Sequence, residues 1–528
     1  MAAADLIELA LAALFIAFAL ARQRWIEPFA RRLSQKPVWS MALLAMLPVV
    51  LRLLLLSRHP PPVPDIYDEF SHLLVADTLR HWRLANPAHA MHQFFETLFV
   101  LQEPTYSSIY PVGQGLLLAI GWVIFGTPWA GVLAAVAAFG ALCYWMLRGW
   151  TTPGWALAGG LLAVMEFGPL NQWTNNYWGG SLTACAGCLV FGALPRLRRG
   201  RRYGLALGAG LAIHLLTRPF ESIFLLLSVA LFVLPRWKPV AKTLMIAALA
   251  TLPAIAITLA QNRAVTGSWT TLPYALSQYQ YGVPAALTFQ PNPAPHNALT
   301  REQALDYKMQ ISFRGDHPET AVTYLQRLLY RIRYYRFFFM PALYLALPLF
   351  LLSLREARFI RVALSLLIFA LGVNFFPAFQ YHYLAGVVCL FILVSVIGLQ
   401  RINGLNPLAA RVIYLVCVAQ FVLEFGLHAS AGDRWSLALR NPERRVAVNQ
   451  QLAQSPGKQL VFVRYWPQHI FQDEWIYNAA DIDRARVVWA RDLGAAEDET
   501  LLRYYPDRTV WLLEPDARPP RLTPYPQR

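Results

Sequence analysis

A chain of 528 residues that is 56% hydrophobic and only 14% charged, with a mean hydropathy of +0.38, is not an ordinary soluble protein. Soluble domains carry roughly 25% charged residues. The net charge of +16 would suit a nucleic-acid binder. The arginines and lysines, however, stand in short clusters between apolar blocks, which is the positive-inside distribution of a multi-span membrane protein.

Apolar blocks approaching about 20 residues match the hydrocarbon core of a bilayer, where only helices satisfy the backbone. In chain order, spans are expected near residues 6–21, 38–56, 129–147, 155–167, 179–194, 204–217, 222–234, 244–260, 341–354, 362–376, 384–399 and 412–427. The expected fold class is thus an all-α polytopic bundle of about 12 spans. No basic residue precedes the first block, so it does not read as a cleavable signal peptide. The apolar stretch 116–125 is short for a crossing. Counting it as one would send Arg196, Arg198, Arg199, Arg201 and Arg202 outside. Laying it in the outer interface keeps every basic cluster inside: Arg22 to Lys36, Arg148, the Arg196–Arg202 group, Arg236 to Lys242, Arg355 to Arg361, and Arg401 with Arg411.

Under that topology both termini face outside, as do segments 57–128 and 261–339. Residues 1–427 are expected to form the membrane domain and 428–528 a small extracytoplasmic α/β module, with β-type runs at 459–464, 486–490 and 509–513. All five cysteines fall in apolar blocks, and the Cys185-x-x-Cys188 pair reads as packing in a small-residue helix.

The stretch richest in chemistry follows the second span: Pro64-Asp65-Ile66-Tyr67-Asp68-Glu69-Phe70-Ser71-His72. A carboxylate just outside a membrane helix can act as general base for an acceptor hydroxyl, and partial desolvation holds its pKa in a useful range. The same residues also suit a helix start, with Asp65 as N-cap and two acids in the first turn, a pattern worth about 1 kcal/mol without any catalysis. Spacing alone leaves both readings open.

The Asp68-Glu69 pair after an early span, Tyr106-x-x-x-Tyr110-Pro111 and the interfacial 116–125 stretch together resemble the GT-C superfamily of membrane glycosyltransferases. Protein O-mannosyltransferases and lipid A aminoarabinose transferases share this layout. Bacterial members with D-E-F-S and Y-W-G-G segments, as at Asp68–Ser71 and Tyr177–Gly180 here, are closer still. The resemblance covers the architecture of the whole chain, with motif similarity concentrated in 65–126. Two features depart from it. Tyr110-Pro111-Val112 stands where many relatives carry a basic residue and Pro-Pro, and 168–178 lacks a second Asp, which leaves Glu166 as the nearest candidate second acid.

The resemblance implies an inverting glycosyltransferase in the bacterial plasma membrane, moving sugar from a polyprenyl-phosphate donor to a glycan, lipid or protein acceptor on the extracytoplasmic face. Asp68 matches the base, and Glu69 the second acid, which orients the acceptor or a divalent metal ion, the one cofactor suggested. The leaving phosphate needs positive charge beside it. The candidates are Arg218, in Thr217-Arg218-Pro219-Phe220-Glu221, then Arg331, Arg333 and Arg336 among aromatic residues, His382 in Gln380-Tyr381-His382-Tyr383, and Tyr110. A salt bridge to Glu221 and aromatic-belt anchoring are the plain alternatives for these groups.

His72, His81, His89 and His92 crowd the first outside segment without a carboxylate at ligand spacing. In the tail, Asp473, Glu474, Asp481 and Asp483 read as a soluble surface or acceptor-binding face. No phosphate-cradling Gly loop is present, which speaks against a nucleotide-sugar donor. A multi-span transporter or lipid flippase is the competing class. It would show charged or broken helices near the midplane, whereas Arg52 and His214 lie near span ends.

Overall fold

Apolar helices joined by short polar turns set the layout. The computed structural model describes residues 3–315, 319–430, 437 and 443–526, so most of the expected entry into the tail, 431–442, lies outside the described residues. Among the described residues, five helices are long and apolar enough to cross a membrane: Pro37–Leu54, Trp129–Leu147, Lys238–Thr266, Tyr381–Leu405 and Pro407–Ser430. A sixth is present if the bent pair Glu8–Ala21 and Gln23–Ser34 forms one span. Val112–Phe125, Pro153–Phe167 and Glu221–Val233 are apolar but shorter, and Ser181–Ala193, Arg201–Thr217 and Ala357–Val373 pack beside them. The Tyr381–Leu405 helix is 94% buried, which makes it the centre of the bundle. Glycines set the closest approaches: a Cβ at Gly187 would run into the carbonyl of Gly386, and one at Gly140 into that of Leu44.

Two expectations change. The basic stretch after residue 21 is helical rather than a loop: the chain bends by 73° into Gln23–Ser34, with Trp25, Ile26 and Phe29 exposed and Arg31 and Arg32 in the last turn. That is the composition of a helix lying along an interface. The expected span 341–354 is not one helix but the short pieces Pro341–Leu345, Leu347–Phe350 and Leu351–Arg355. Pro348, in the middle of the stretch, withholds an N–H that a continuous α-helix would use. The tighter 3₁₀ winding rises about 2.0 Å per residue, so the stretch covers more length than an α-helix of equal size.

The basic clusters share one end of the bundle. There Arg196 donates to the carbonyls of Gly192 and Trp145 at 2.6 and 2.8 Å. Arg401 bonds Ser353 at 2.8 Å, and Arg411 pairs with Glu27 at 2.7 Å. The opposite end carries the outside segments. Arg52, 1% exposed, donates there to Asn175 and to the carbonyls of His59 and Pro60 at 2.7 to 3.0 Å. It thereby ties the 171–177 loop beneath the first outside segment.

That segment contains the helix Tyr67–Arg80 and a small antiparallel sheet, β1 (Asn86–Pro87), β2 (Val100–Leu101) and β3 (Thr105–Ser108), in the order β1-β3-β2. The tail holds β4 (Gln459–Val463), β5 (Val487–Arg491), β6 (Thr509–Glu514) and β7 (Arg521–Pro524), in the order β5-β4-β6-β7. The first three are parallel and lie on the expected β runs, and β7 closes the sheet antiparallel. One face of this sheet, with Leu460, Phe462 and Val488, shares its core with Leu74, Phe94, Phe95 and Tyr106 of the first outside segment. The other face packs on Val448, Leu452 and Trp475. The tail therefore braces the segment that carries the acidic pair.

Candidate active site

The helix Tyr67–Arg80 starts one residue later than expected. Ile66, in extended backbone, is the N-cap, and the cap is made by Glu69 rather than Asp65. The Glu69 carboxylate reaches back to accept the N–H groups of Asp65 at 2.9 Å and Ile66 at 3.3 Å. Its other oxygen accepts the N–H of Tyr177, from the Tyr-Trp-Gly-Gly stretch, at 2.9 Å. Glu69 is 2% exposed. Burial pushes its pKa up to about 7 against the pull of those three N–H groups.

Asp68 is free of that duty. It accepts a hydrogen bond from the Tyr110 hydroxyl. The Tyr110 ring stacks on His72 at 4.1 Å, and Gln261 grips the Tyr110 carbonyl at 2.8 Å. β3 delivers Tyr110 to this place, with the Ser108 hydroxyl accepting its N–H at 3.0 Å. Burial raises the Asp68 pKa to about 6, opposed by the Tyr110 hydrogen bond and the positive charge of Arg218. His72 is pushed down to about 3 by burial and by Arg218, so it is neutral at physiological pH. Its Nδ1 has no partner among the described residues.

Arg218 follows directly on the Arg201–Thr217 helix. Its guanidinium is 4.0 Å from Glu221 and 5.5 Å from the centre of the Tyr383 ring, and it makes no hydrogen bond among the described residues. Its charge reaches Asp68, His72, Tyr110 and Tyr274. His382, 7% exposed, meets Trp178 edge-on at 5.4 Å and lies within the field of Arg218 and His72. Trp178 Nε1 and Glu221 Oε1 are buried without a hydrogen-bond partner among the described residues. Each orphaned group costs about 1–3 kcal/mol unless a ligand supplies the missing bond. A carboxylate, an uncommitted guanidinium and a ring of unfilled polar atoms make this a site for an anionic, hydroxyl-bearing ligand.

Asp68, Tyr110, Arg218 and His382 come together here; the other sequence candidates do not. Arg331 is 4% exposed and spends its guanidinium on the carbonyls of Val373, Phe376 and Pro377 at 2.6 to 3.0 Å, so it clamps the turn before the central helix. Arg333 lies 3.6 Å over the exposed Tyr330 ring. Arg336 is exposed, and its charge acts on Tyr344. Glu166 neighbours Glu424 on another helix. The expected grip of Tyr110 on phosphate also changes, because its hydroxyl is committed to Asp68.

Among the described residues, no three His, Cys, Asp or Glu side chains form a metal-binding group. The acidic pair does not fit a divalent ion either, since three backbone N–H groups occupy the Glu69 carboxylate. The other histidines of the first segment serve structure: His89 bonds Asp483 at 3.0 Å and Tyr505 at 3.1 Å, joining the segment to the tail. Nor are the tail acids all surface groups. Glu474 is 2% exposed and pairs with Arg491 at 3.2 Å. Sequence reasoning passed over Trp178 and Tyr274. Trp178 had a signal, its place beside Gly179-Gly180; Tyr274, at a helix start in the second outside segment, had none.

No protein family model and no curated protein matches the chain. Solved structures do match. The apo structure of ArnT from Cupriavidus metallidurans aligns with a TM-score of 0.50 at 12% identity, over 89% of this chain and 92% of ArnT. The same protein bound to undecaprenyl phosphate gives 0.49 at 12% identity over the same shares. The apo oligosaccharyltransferase of Archaeoglobus fulgidus gives 0.41 at 11% identity, over 90% of this chain and 69% of its own. Over nearly its whole length, the chain shares the fold of ArnT.

Proposed function

We propose that the chain is an inverting glycosyltransferase that moves a sugar from a polyprenyl-phosphate donor to an acceptor hydroxyl on the extracytoplasmic face of a bacterial plasma membrane. One observation carries this reading. Asp68 is an acid released from capping duty, held by the Tyr110 hydroxyl and facing the charge of an arginine whose guanidinium makes no hydrogen bond among the described residues. The fold shared with ArnT, whose name denotes a transferase, supports it. The basic clusters gathered at the opposite end of the bundle support an outer site. The twelve-crossing arrangement of 1–427, with the shorter helices supplying the further crossings, and a tail module over 428–528 belong to the same reading.

In this reading the ionised Asp68 takes the proton of the acceptor hydroxyl as its oxygen attacks the anomeric carbon. The bond from that carbon to the phosphate oxygen breaks, and the electron pair leaves with polyprenyl phosphate. Attack from the face opposite the leaving group inverts the anomeric centre. Arg218 offers a planar pair of donors to the phosphate as its charge grows. Tyr110 orients Asp68, and Glu69 fixes the helix start that presents it. Neutral His72, His382 and Trp178 line the substrate space.

The test is turnover of lipid-linked sugar in membranes holding wild-type, Asp68→Asn or Glu69→Gln protein at matched levels. Loss of turnover in Asp68→Asn, with the protein folded and inserted, supports the reading. Wild-type rates in Asp68→Asn would remove it.

A further inference from the structure

The helix Arg301–Arg314 in the second outside segment turns a polar face inward: Glu302, Gln303, Asp306 and Gln310 are all buried. Three of the four have clear reasons. Glu302 pairs with Arg491 of the tail sheet. Gln303 donates to Glu96 at 3.0 Å, and Gln310 accepts the N–H of Ala285 at 2.6 Å while donating to Asp306 Oδ2 at 2.9 Å. Asp306 is different. It is 0% exposed, and its Oδ1 has no hydrogen-bond partner among the described residues. A helix needed only for support gains nothing from such a group, because an orphaned buried carboxyl is destabilising and an apolar residue of similar size is not.

The place of Asp306 says what it is for. Tyr307, next in the chain, packs in the same cluster as Tyr67, Tyr110 and Tyr274, so this helix forms a wall of the Asp68 site. Asp68 and Asp306 lie close enough for the charge of one to act on the other, and burial together with that charge raises the Asp306 pKa to about 7. The charge of Arg218 thus acts on Asp68, and the charge of Asp68 acts on Asp306. A phosphate would be repelled by the acid and drawn to the arginine. A neutral hydroxyl suits the acid in either protonation state, accepting from it or donating to it. The helix is also braced to the tail, through Glu302–Arg491 and through Gln472 to Met309 at 3.4 Å, which sets it on the side away from the bundle.

We propose that Asp306 is a substrate-binding residue that hydrogen-bonds a hydroxyl of a sugar-bearing acceptor and holds it beside Asp68. This rests on the transferase reading, in which the lipid-borne donor enters on the Arg218 side.

The experiment uses the purified full-length protein in detergent, with saturation-transfer NMR against methyl hexosides and methyl pentosides. Wild type and Arg218→Gln should both show transfer to the glycoside. Asp306→Leu should lose it while the protein still folds, with a melting temperature lowered only by the one Gln310 N–H left unpaired. In turnover assays with lipid-linked sugar and membrane glycolipid acceptors, Asp306→Leu should raise the acceptor KM about tenfold, the loss of one hydrogen bond, with a smaller change in kcat. Wild-type saturation transfer in Asp306→Leu, no glycoside binding to wild type, or a fall in kcat at unchanged acceptor KM would each overturn the assignment. Turnover that survives Asp68→Asn would count against the transferase reading instead, and the glycoside spectra would still decide Asp306.

Discussion

Arg218 and Arg331 both sit at the end of the bundle away from the basic clusters, each beside an aromatic ring, and a guanidinium at either place has paired donors that suit a phosphate. The tertiary structure gives them opposite states. The Arg331 guanidinium is bound by the carbonyls of the turn it clamps, whereas that of Arg218 has a carboxylate at 4.0 Å, a tyrosine face and no hydrogen bond among the described residues. The adjacent acids Asp68 and Glu69 divide in the same way: Glu69 is spent on three backbone N–H groups, and Asp68 is held by one hydroxyl. The Glu69 and Arg331 side chains spend most of their bonding on backbone groups and so support the fold. Asp68 and Arg218 are half-buried with fewer partners, which leaves them bonding capacity for a ligand.

The sharpest way to break this comparison is at the acids. Asp68→Asn should cut turnover of lipid-linked sugar by about 10²- to 10⁴-fold, the usual contribution of a general base, with an unchanged melting curve in detergent. Next come the arginines. Arg218→Gln should lower turnover by about 10²- to 10³-fold, as expected for loss of charge stabilisation at a leaving oxyanion, without loss of folded protein. Arg331→Gln should do the reverse, destabilising by about 1–3 kcal/mol through carbonyls left unpaired while turnover per folded molecule stays near wild type. Melting curves and rates measured on the same preparations separate the two. If both arginine variants lose activity alike, the distinction drawn between them fails.

Glu69→Gln should resemble Arg331→Gln, since an amide keeps one acceptor oxygen where the carboxylate used two; a loss of about 1–3 kcal/mol is expected, read as a lower melting temperature. The smallest effect is in the pH profile. Asp68 must be ionised to accept a proton, and its pKa is raised to about 6, so turnover should fall as pH drops through about 6 and level off above it. The Tyr110 hydrogen bond lowers that pKa, so Tyr110→Phe should shift the acid limb upward. A limb that stays in place would show that Tyr110 does not tune Asp68.

Much of this was legible in the sequence because it depends on local composition. The membrane class, the long spans, the three parallel tail strands, and Asp68 and Arg218 as candidates all follow from runs of residues adjacent in the chain. The strands β1, β2 and β3 were not legible, because runs of two to four residues show no alternation. The break at Pro348 was not legible, because Pro48 and Pro253 lie inside helices that stay continuous.

The sequence by itself determined that this chain enters a membrane and which end of the bundle is basic, since hydropathy and charge are properties of residues taken in order. Only the tertiary structure decided which charged groups are spent. The partners that decide it are distant in the chain, with Tyr177 lying 108 residues from Glu69 and Val373 42 residues from Arg331. A backbone group meets a distant side chain only where the fold brings the two together, and a carbonyl, with two lone pairs, can serve both a backbone N–H and a guanidinium, as that of Val373 does.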